Sequence, residues 1–364
     1  MEKIFSLCIL FAIAYSWDLN YFGIDENYYI SSIAIYRARA FLALPRSCCH
    51  NNISNPTVVE VPWTGSFRQP ASSHFRFNIL EYQKRKECDK IQDAISLDME
   101  PRKPKLWILD KGNEFCNPKI LSYNVIFNTI SEISELQNVP RENLNVITID
   151  PQQSEFGSRI YIGNAGDSTL LVFSSNNLKW RKLTLRDMSN PAISINADYL
   201  AISKTDSFMY ITGRKSLELF SINLHDVRSS EEPSSNESEK EINVSSTVNV
   251  TLIGQKLGMS TGLETDFKSG LSYYMVRDYV VVRWMIGLPM EAEYHTVLTQ
   301  SYEELPYVSE LFTDPYHYGL WALVNPLSSE DCQEANNTIA ENIHKLKSRV
   351  VKVLKYNKLS GDVL

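Results

Sequence analysis

The sequence predicts an all-β fold, a six-bladed β-propeller with one short peripheral helix near the C-terminus, and three observations carry that prediction. Six segments recur in which a short aromatic and β-branched run is followed, after a turn, by a second such run. They start at positions 41, 106, 160, 208, 271 and 320, at intervals of 65, 54, 48, 63 and 49 residues, which leaves room for about four strands per unit. Between them, apolar residues at helical spacing are scarce, which argues against alternating strands and helices.

In chain order, Met1, Glu2 and Lys3 precede a mostly apolar run, Ile4–Tyr15, with small residues at Ala14 and Ser16. This is the pattern of a secretory leader, so residues 1–16 are expected to be leader and residues 17–364 a single propeller domain. The run is short of the roughly 20 apolar residues of a membrane span. The first unit pairs Phe41–Leu44 with Thr57–Val61, the second Leu106–Leu109 with Lys119–Val125, and the third Ile160–Gly163 with Thr169–Phe173. The fourth pairs Phe208–Ile211 with Leu217–Ile222, and the long interval after it holds residues 226–250, Ser- and Glu-rich, read as an inserted loop. Leu271–Met275 with Tyr279–Trp284, and Leu320–Val324 with Val350–Leu354, complete the set. Residues 330–364 form an extension that closes the last blade. Within it Ile339, Ile343 and Leu346 share one face of Glu330–Lys347, the expected helix. A β-sandwich is the rival, but evenly spaced similar units favour a ring, which removes exposed sheet edges.

Export predicts an oxidising compartment, and five glycosylation sequons begin at Asn52, Asn236, Asn243, Asn249 and Asn336. Without Cys8 of the leader, Cys48, Cys49, Cys88, Cys116 and Cys332 remain, an odd number with no zinc-ligand spacing. The net charge of -7 argues against nucleic acid or an anionic membrane as partner and tolerates a cationic small molecule.

The chemistry-bearing motifs are few. Gly258–Gly262 matches Gly-x-Ser-x-Gly, yet Ser260 is followed by polar turn-like sequence rather than a helix, so it reads as a loop serine and no catalytic residue is assigned. The six histidines show no metal-ligand spacing, and phosphate-binding glycine motifs are lacking, so neither metal nor cofactor is expected. Asp110 reads as the cap of the turn before Gly112. Trp107, Trp284 and Trp321 are read as matching positions in their repeats, packing between blades.

Three segments then carry a resemblance. Cys88-Asp-Lys-Ile91, Lys105-Leu-Trp-Ile-Leu-Asp-Lys-Gly112 and Cys116-Asn-Pro-Lys-Ile-Leu121 resemble the Cys-x-x-Ile, Arg-Leu-Trp-Val-Leu-Asp-x-Gly and Cys-x-Pro-Lys-Leu segments of the insect Yellow and major royal jelly protein family. Further similarity at Phe41–Arg46, Arg159–Trp180, Ala201–Leu224, Gly254–Trp284 and Ser301–Leu327 extends the resemblance over roughly residues 28 to 327. It implies the propeller fold and a disulfide between Cys88 and Cys116. Where the family has Cys-Trp this chain has Arg283-Trp284, so the family's second disulfide cannot form, and Cys332 is expected to reach Cys48 or Cys49.

Some salivary members of that family bind biogenic amines in the central channel through a Thr, an Asn and a Phe. By that resemblance Asn325 matches the Asn, Ser309 replaces the Thr, and Leu327 stands at the position of the Phe. The implied function is a secreted, extracellular protein that binds a small ligand such as a biogenic amine, rather than an enzyme. The alternatives are a melanin-pathway protein acting on dopachrome and a nutritive or structural secreted protein.

Overall fold

The computed structural model of the protein describes residues 14–24, 28–48, 54–63, 78–229, 245–316, 319–328 and 347–356. The first strand, β1 (Ala14–Ser16), belongs to the last blade. The first blade holds β2 (Ser32–Tyr36), β3 (Arg39–Ala43) and β4 (Val58–Pro62). The second holds β5 (Ala94–Met99), β6 (Lys105–Asp110), β7 (Lys119–Asn124) and β8 (Thr129–Glu135). The third runs through β9 (Leu144–Ile149), β10 (Arg159–Asn164), β11 (Thr169–Ser174) and β12 (Lys179–Asp187). The fourth comprises β13 (Tyr199–Ile202), β14 (Phe208–Thr212), β15 (Glu218–Asn223), the short helix α1 (Leu224–Ser229) and β16 (Ser245–Gln255). The fifth is β17 (Ser260–Thr265), β18 (Gly270–Met275), β19 (Val280–Met285) and β20 (His295–Gln300). The sixth is β21 (Tyr307–Asp314), β22 (Gly319–Asn325) and β23 (Arg349–Lys355), and β1 pairs antiparallel with β23 as its fourth strand.

The inner strands β2, β5, β9, β13, β17 and β21 each touch the next, and β21 returns to β2, so the blades form a closed six-bladed propeller. Every recurring pair found in the sequence is the second and third strand of a blade. These strands are buried on both faces: in β6, Leu106 and Ile108 pack toward the first blade while Trp107 and Leu109 pack toward the third. Six apolar clusters result among the described residues, one at each blade interface.

The structure departs from the sequence reading at the inserted loop and at one tryptophan. The stretch 226–250 is not wholly loop: residues 226–229 end α1 and 245–250 begin β16. Residues 245–250 pair in parallel with β12, and the end of β16 pairs antiparallel with β15, which joins the third and fourth blades into one eight-stranded sheet. The helix found among the described residues is α1, while the C-terminal stretch expected to be helical lies outside them except for Lys347. The last three residues assigned to the leader form β1 in the full chain. Trp107 and Trp321 share a position on second strands, but Trp284 lies on a third strand, although all three pack at blade interfaces.

Candidate functional site: the axial channel

An inner strand has a blade behind it and an unpaired backbone edge in front, and such an edge must find partners for its N–H and C=O groups. Side chains of the adjacent inner strand supply many of them. The Ser31 hydroxyl donates to the Ile95 carbonyl at 2.6 Å, and the Ser32 hydroxyl accepts from the Leu97 N–H at 3.1 Å. Ser96 and Asp98 accept from the N–H groups of Ile147 and Ile149 at 3.1 and 2.9 Å. Thr261 and Thr265 donate to the carbonyls of Val308 and Ile202, and the Glu310 carboxyl accepts from the Ile33 N–H at 2.7 Å. Partner numbers climb together, so these strands run the same way along the axis. Their beginnings ring one mouth, here the N mouth, and their ends ring the other, the C mouth.

Between the mouths lies a cavity of about 890 Å³ lined by all six inner strands, within the size range of small-molecule sites. Of the carboxyl residues that line it, Asp98 of β5, Glu264 of β17 and Glu310 of β21 stand within the inner strands, while Asp198 and Glu100 flank β13 and β5. Each of the first three is half-buried and surrounded by protein except toward the channel. Glu264 pairs with Lys204, whose ammonium also donates to the Thr265 carbonyl at 2.7 Å, and accepts from the Thr313 hydroxyl at 2.6 Å. Burial pushes the Asp98 pKa up to about 7; the Glu264 charge adds to the rise, while the Ile149 N–H and Lys204 oppose it. Burial likewise holds Glu310 well above the ordinary carboxyl range, with Asp98 and Glu264 adding to the effect. Removal from water disfavours the charged form and neighbouring negative charge reinforces this, so the channel centre holds protons close to neutral pH.

The N mouth mixes charges, with Asp198 beside the backbone of Arg214. Lys111, just beyond β6, and Arg214, just beyond β14, both line the cavity. Burial lowers the Lys111 pKa; Asp93 opposes the shift and Arg214 contributes to it. Cys48, a free thiol among the described residues, lines the same mouth, and burial pushes its pKa up to about 12, leaving it protonated and a poor nucleophile.

The residues suggested by resemblance are placed differently from that expectation. Asn325 is fully buried at the end of β22 and does not line the cavity. Its amide nitrogen donates to the Ile30 carbonyl at 2.8 Å and to the Ser309 hydroxyl at 2.9 Å, while its oxygen accepts from the Ile30 N–H at 2.9 Å and the Ser348 hydroxyl at 2.8 Å. All four hydrogen-bonding positions of the amide are therefore filled by protein. Ser309 does line the cavity, with its hydroxyl donated to the Ile30 carbonyl at 2.9 Å. Leu327 is half-buried and outside the lining.

Asp110 caps the turn as expected, accepting from the N–H groups of Gln92, Asp93 and Gly112 at 2.7, 2.8 and 2.8 Å and pairing with buried Lys119. Gly112 has φ +69°, and a Cβ there would meet the Cys116 carbonyl oxygen at 2.2 Å, so only glycine fits. Cys88 and Cys116 are disulfide-bonded beside this turn. Cys49 and Cys332 lie outside the described residues, which leaves the pairing expected for Cys332 there too. Arg283 forms a two-point ion pair with Asp266, at 2.5 and 3.2 Å. Ser260 opens β17 and runs into the hairpin with β18, without the following helix of a nucleophile elbow. Of the sequon residues, Asn249 is exposed on β16, whereas Asn52, Asn236, Asn243 and Asn336 lie outside the described residues.

No family model and no curated sequence matches the chain. Among solved structures it is similar to U3-55K, at 10% identity and TM-score 0.48, covering 90% of this chain and 81% of that one. A catalytically inactive virginiamycin B lyase from Staphylococcus aureus with quinupristin is similar at 11% identity and TM-score 0.46, covering 82% and 78%. The RRP9 WD40 repeats are similar at 9% identity and TM-score 0.45, covering 90% and 80%.

Proposed function

We propose that the chain is an exported, glycosylated member of the Yellow and royal jelly protein family that holds a small cationic molecule, a biogenic amine, in its axial channel. The observation that carries the reading is the convergence of Asp98, Glu264 and Glu310 on one cavity of about 890 Å³. An ammonium group entering there meets carboxyl groups already held by neighbouring blades, Asp98 and Glu310 by backbone N–H groups and Glu264 by Lys204 and Thr313, so little ordering is required on binding. Export is supported by the apolar N-terminal run and by the Cys88–Cys116 disulfide, which suits an oxidising compartment. Calorimetric titration with serotonin, dopamine, octopamine and histamine tests the reading. Saturable heat from at least one amine, weakened by Glu264→Gln, is expected, and no heat from any of the four removes it.

One observation favours a second reading, conversion of dopachrome in a pigment pathway. Asp98 faces the cavity with its pKa pushed up to about 7, the range in which a carboxyl group can both give and take a proton. Purified protein that leaves the decay rate of dopachrome unchanged rules this activity out.

A further inference from the structure

We propose that Asp98 and Glu310 share one proton at the centre of the ligand-free channel and that an entering ammonium group displaces it, so that amine capture releases a proton and mild acid reverses the capture. The inference rests on the amine reading above and adds the device that regulates the same site.

The two carboxyl groups are brought together by β2, which stands between their strands. Glu310 reaches across from β21 and accepts from the Ile33 N–H at 2.7 Å and from the Ser32 hydroxyl at 3.3 Å. On the other side of β2 the Leu97 N–H donates to the Ser32 hydroxyl at 3.1 Å, which sets Asp98, the next residue of β5, at the level of Ile33. Asp98 and Glu310 therefore meet at one height, a single strand apart, and both line the channel. Neither has a cation in ion-pair reach among the described residues. Lys204, whose charge reaches Asp98, is itself engaged by Glu264, the Thr265 carbonyl and the Thr313 hydroxyl. Two carboxylates held close together away from bulk water do not both ionise without large cost, so a proton stays with the pair.

The groups around the pair do not remove that cost. β9 offers Asp98 the Ile149 N–H at 2.9 Å and no ionisable side chain. β22, behind Glu310, has none either, and β18 has only Tyr273 and Tyr274, whose hydroxyls bond to His295 and to the Leu305 carbonyl. On β6 Lys105 and Asp110 are already paired, with Glu132 and Lys119. Glu264 adds negative charge to both members of the pair. Toward the C mouth Lys103 pairs with Glu100 at 2.6 Å, while Arg37 and Arg102 are exposed to solvent. An alkylammonium group keeps its proton to about pH 10 and so enters as a cation. As it settles, the carboxylic acid of the pair gives its proton to solvent, and two carboxylates face one ammonium. The free channel takes that proton back as the pH falls, so affinity falls with it, by at most about 10-fold per pH unit for one linked proton.

The test titrates serotonin, dopamine and octopamine into the full chain calorimetrically at about pH 6.5, in phosphate and in ACES, two buffers of different ionisation heat. The difference in heat is expected to correspond to about one proton released per amine, and the affinity to fall about 5- to 10-fold on going to about pH 5.5. The double variant Asp98→Asn, Glu310→Gln keeps acceptors for the Ile149 and Ile33 N–H groups and is expected to release no proton. Its infrared spectrum without ligand is expected to lack a protonated-carboxyl band that the wild type shows, a readout that needs no binding by the variant. Amine binding by the wild type with neither buffer-dependent heat nor pH-dependent affinity overturns the shared proton, and so does a protonated-carboxyl band that persists in the double variant; both outcomes leave the amine reading standing. Absence of heat from these three amines and from histamine overturns both.

Discussion

Lys256 is 3% exposed, and its ammonium donates to the Ser260 hydroxyl at 2.7 Å without a carboxylate in ion-pair reach among the described residues. Burial pushes its pKa from 10.5 down to about 7, an effect that the more distant charges of Glu218 and Asp198 only partly oppose. Between those two pH values the unfolded chain carries a proton here that the folded chain does not, so stability rises with pH across the window and falls as the pH drops toward 7. At one pKa unit per 1.36 kcal/mol, the gain from about pH 7 to about pH 9 is on the order of 2 kcal/mol. Urea unfolding at the two pH values measures it. Lys256→Met is expected to flatten the slope, and a variant whose stability keeps the wild-type pH dependence shows that Lys256 is not its source. The slope is the readout because the substitution also deprives Ser260 of its partner, which shifts stability at both pH values alike.

What the sequence discloses differs by strand. β6, β7, β10, β11, β22 and their equivalents are covered on both faces by neighbouring blades, so they read as unbroken apolar runs. The inner strands lack that signature because one edge faces the channel and their side chains must cap neighbouring backbones. Ala94–Met99 therefore carries Ser96 and Asp98 among its apolar residues, and Tyr307–Asp314 carries Ser309 and Glu310. The outer strands are half-exposed; β8, Thr129–Glu135, alternates between exposed and half-buried positions and resembles an ordinary surface strand. The same division explains the site. Asp98, Glu264 and Glu310 are far apart in the chain, and they become neighbours only when the ring closes. The available signal was an acidic residue in the strand just before each recurring pair, repeated in three units. Asn325 misleads for the converse reason: an Asn at a strand end reads equally as a ligand contact or a clamp, and only its four filled hydrogen bonds decide.

Closing a ring requires the last blade to meet the first, and this seam joins residues nearly three hundred positions apart. Its apolar part is Trp63 against Phe312 and Trp321, with ring centroids 5.8 and 5.1 Å apart, and the Trp63 indole donates to Asp314 at 2.8 Å. Its polar part is Asn325, which takes both backbone groups of Ile30, and Glu310, which takes the Ile33 N–H. The β1–β23 pair adds three residue pairs at the outer strand of the sixth blade. Loop closure over such a span costs entropy that local contacts cannot recover, so the seam's polar clamp governs whether the ring stays shut. Asn325→Ala leaves the Ile30 N–H buried without its acceptor and the Ile30 carbonyl with the Ser309 hydroxyl alone, a loss of about 2–4 kcal/mol. Denaturant unfolding followed by tryptophan fluorescence is expected to show that loss, since Trp63 and Trp321 report on the same interface. A variant of unchanged stability that no longer binds amine would instead return Asn325 to the ligand. The geometry favours the first outcome, because a side chain with every donor and acceptor engaged across the seam has nothing left to offer the channel.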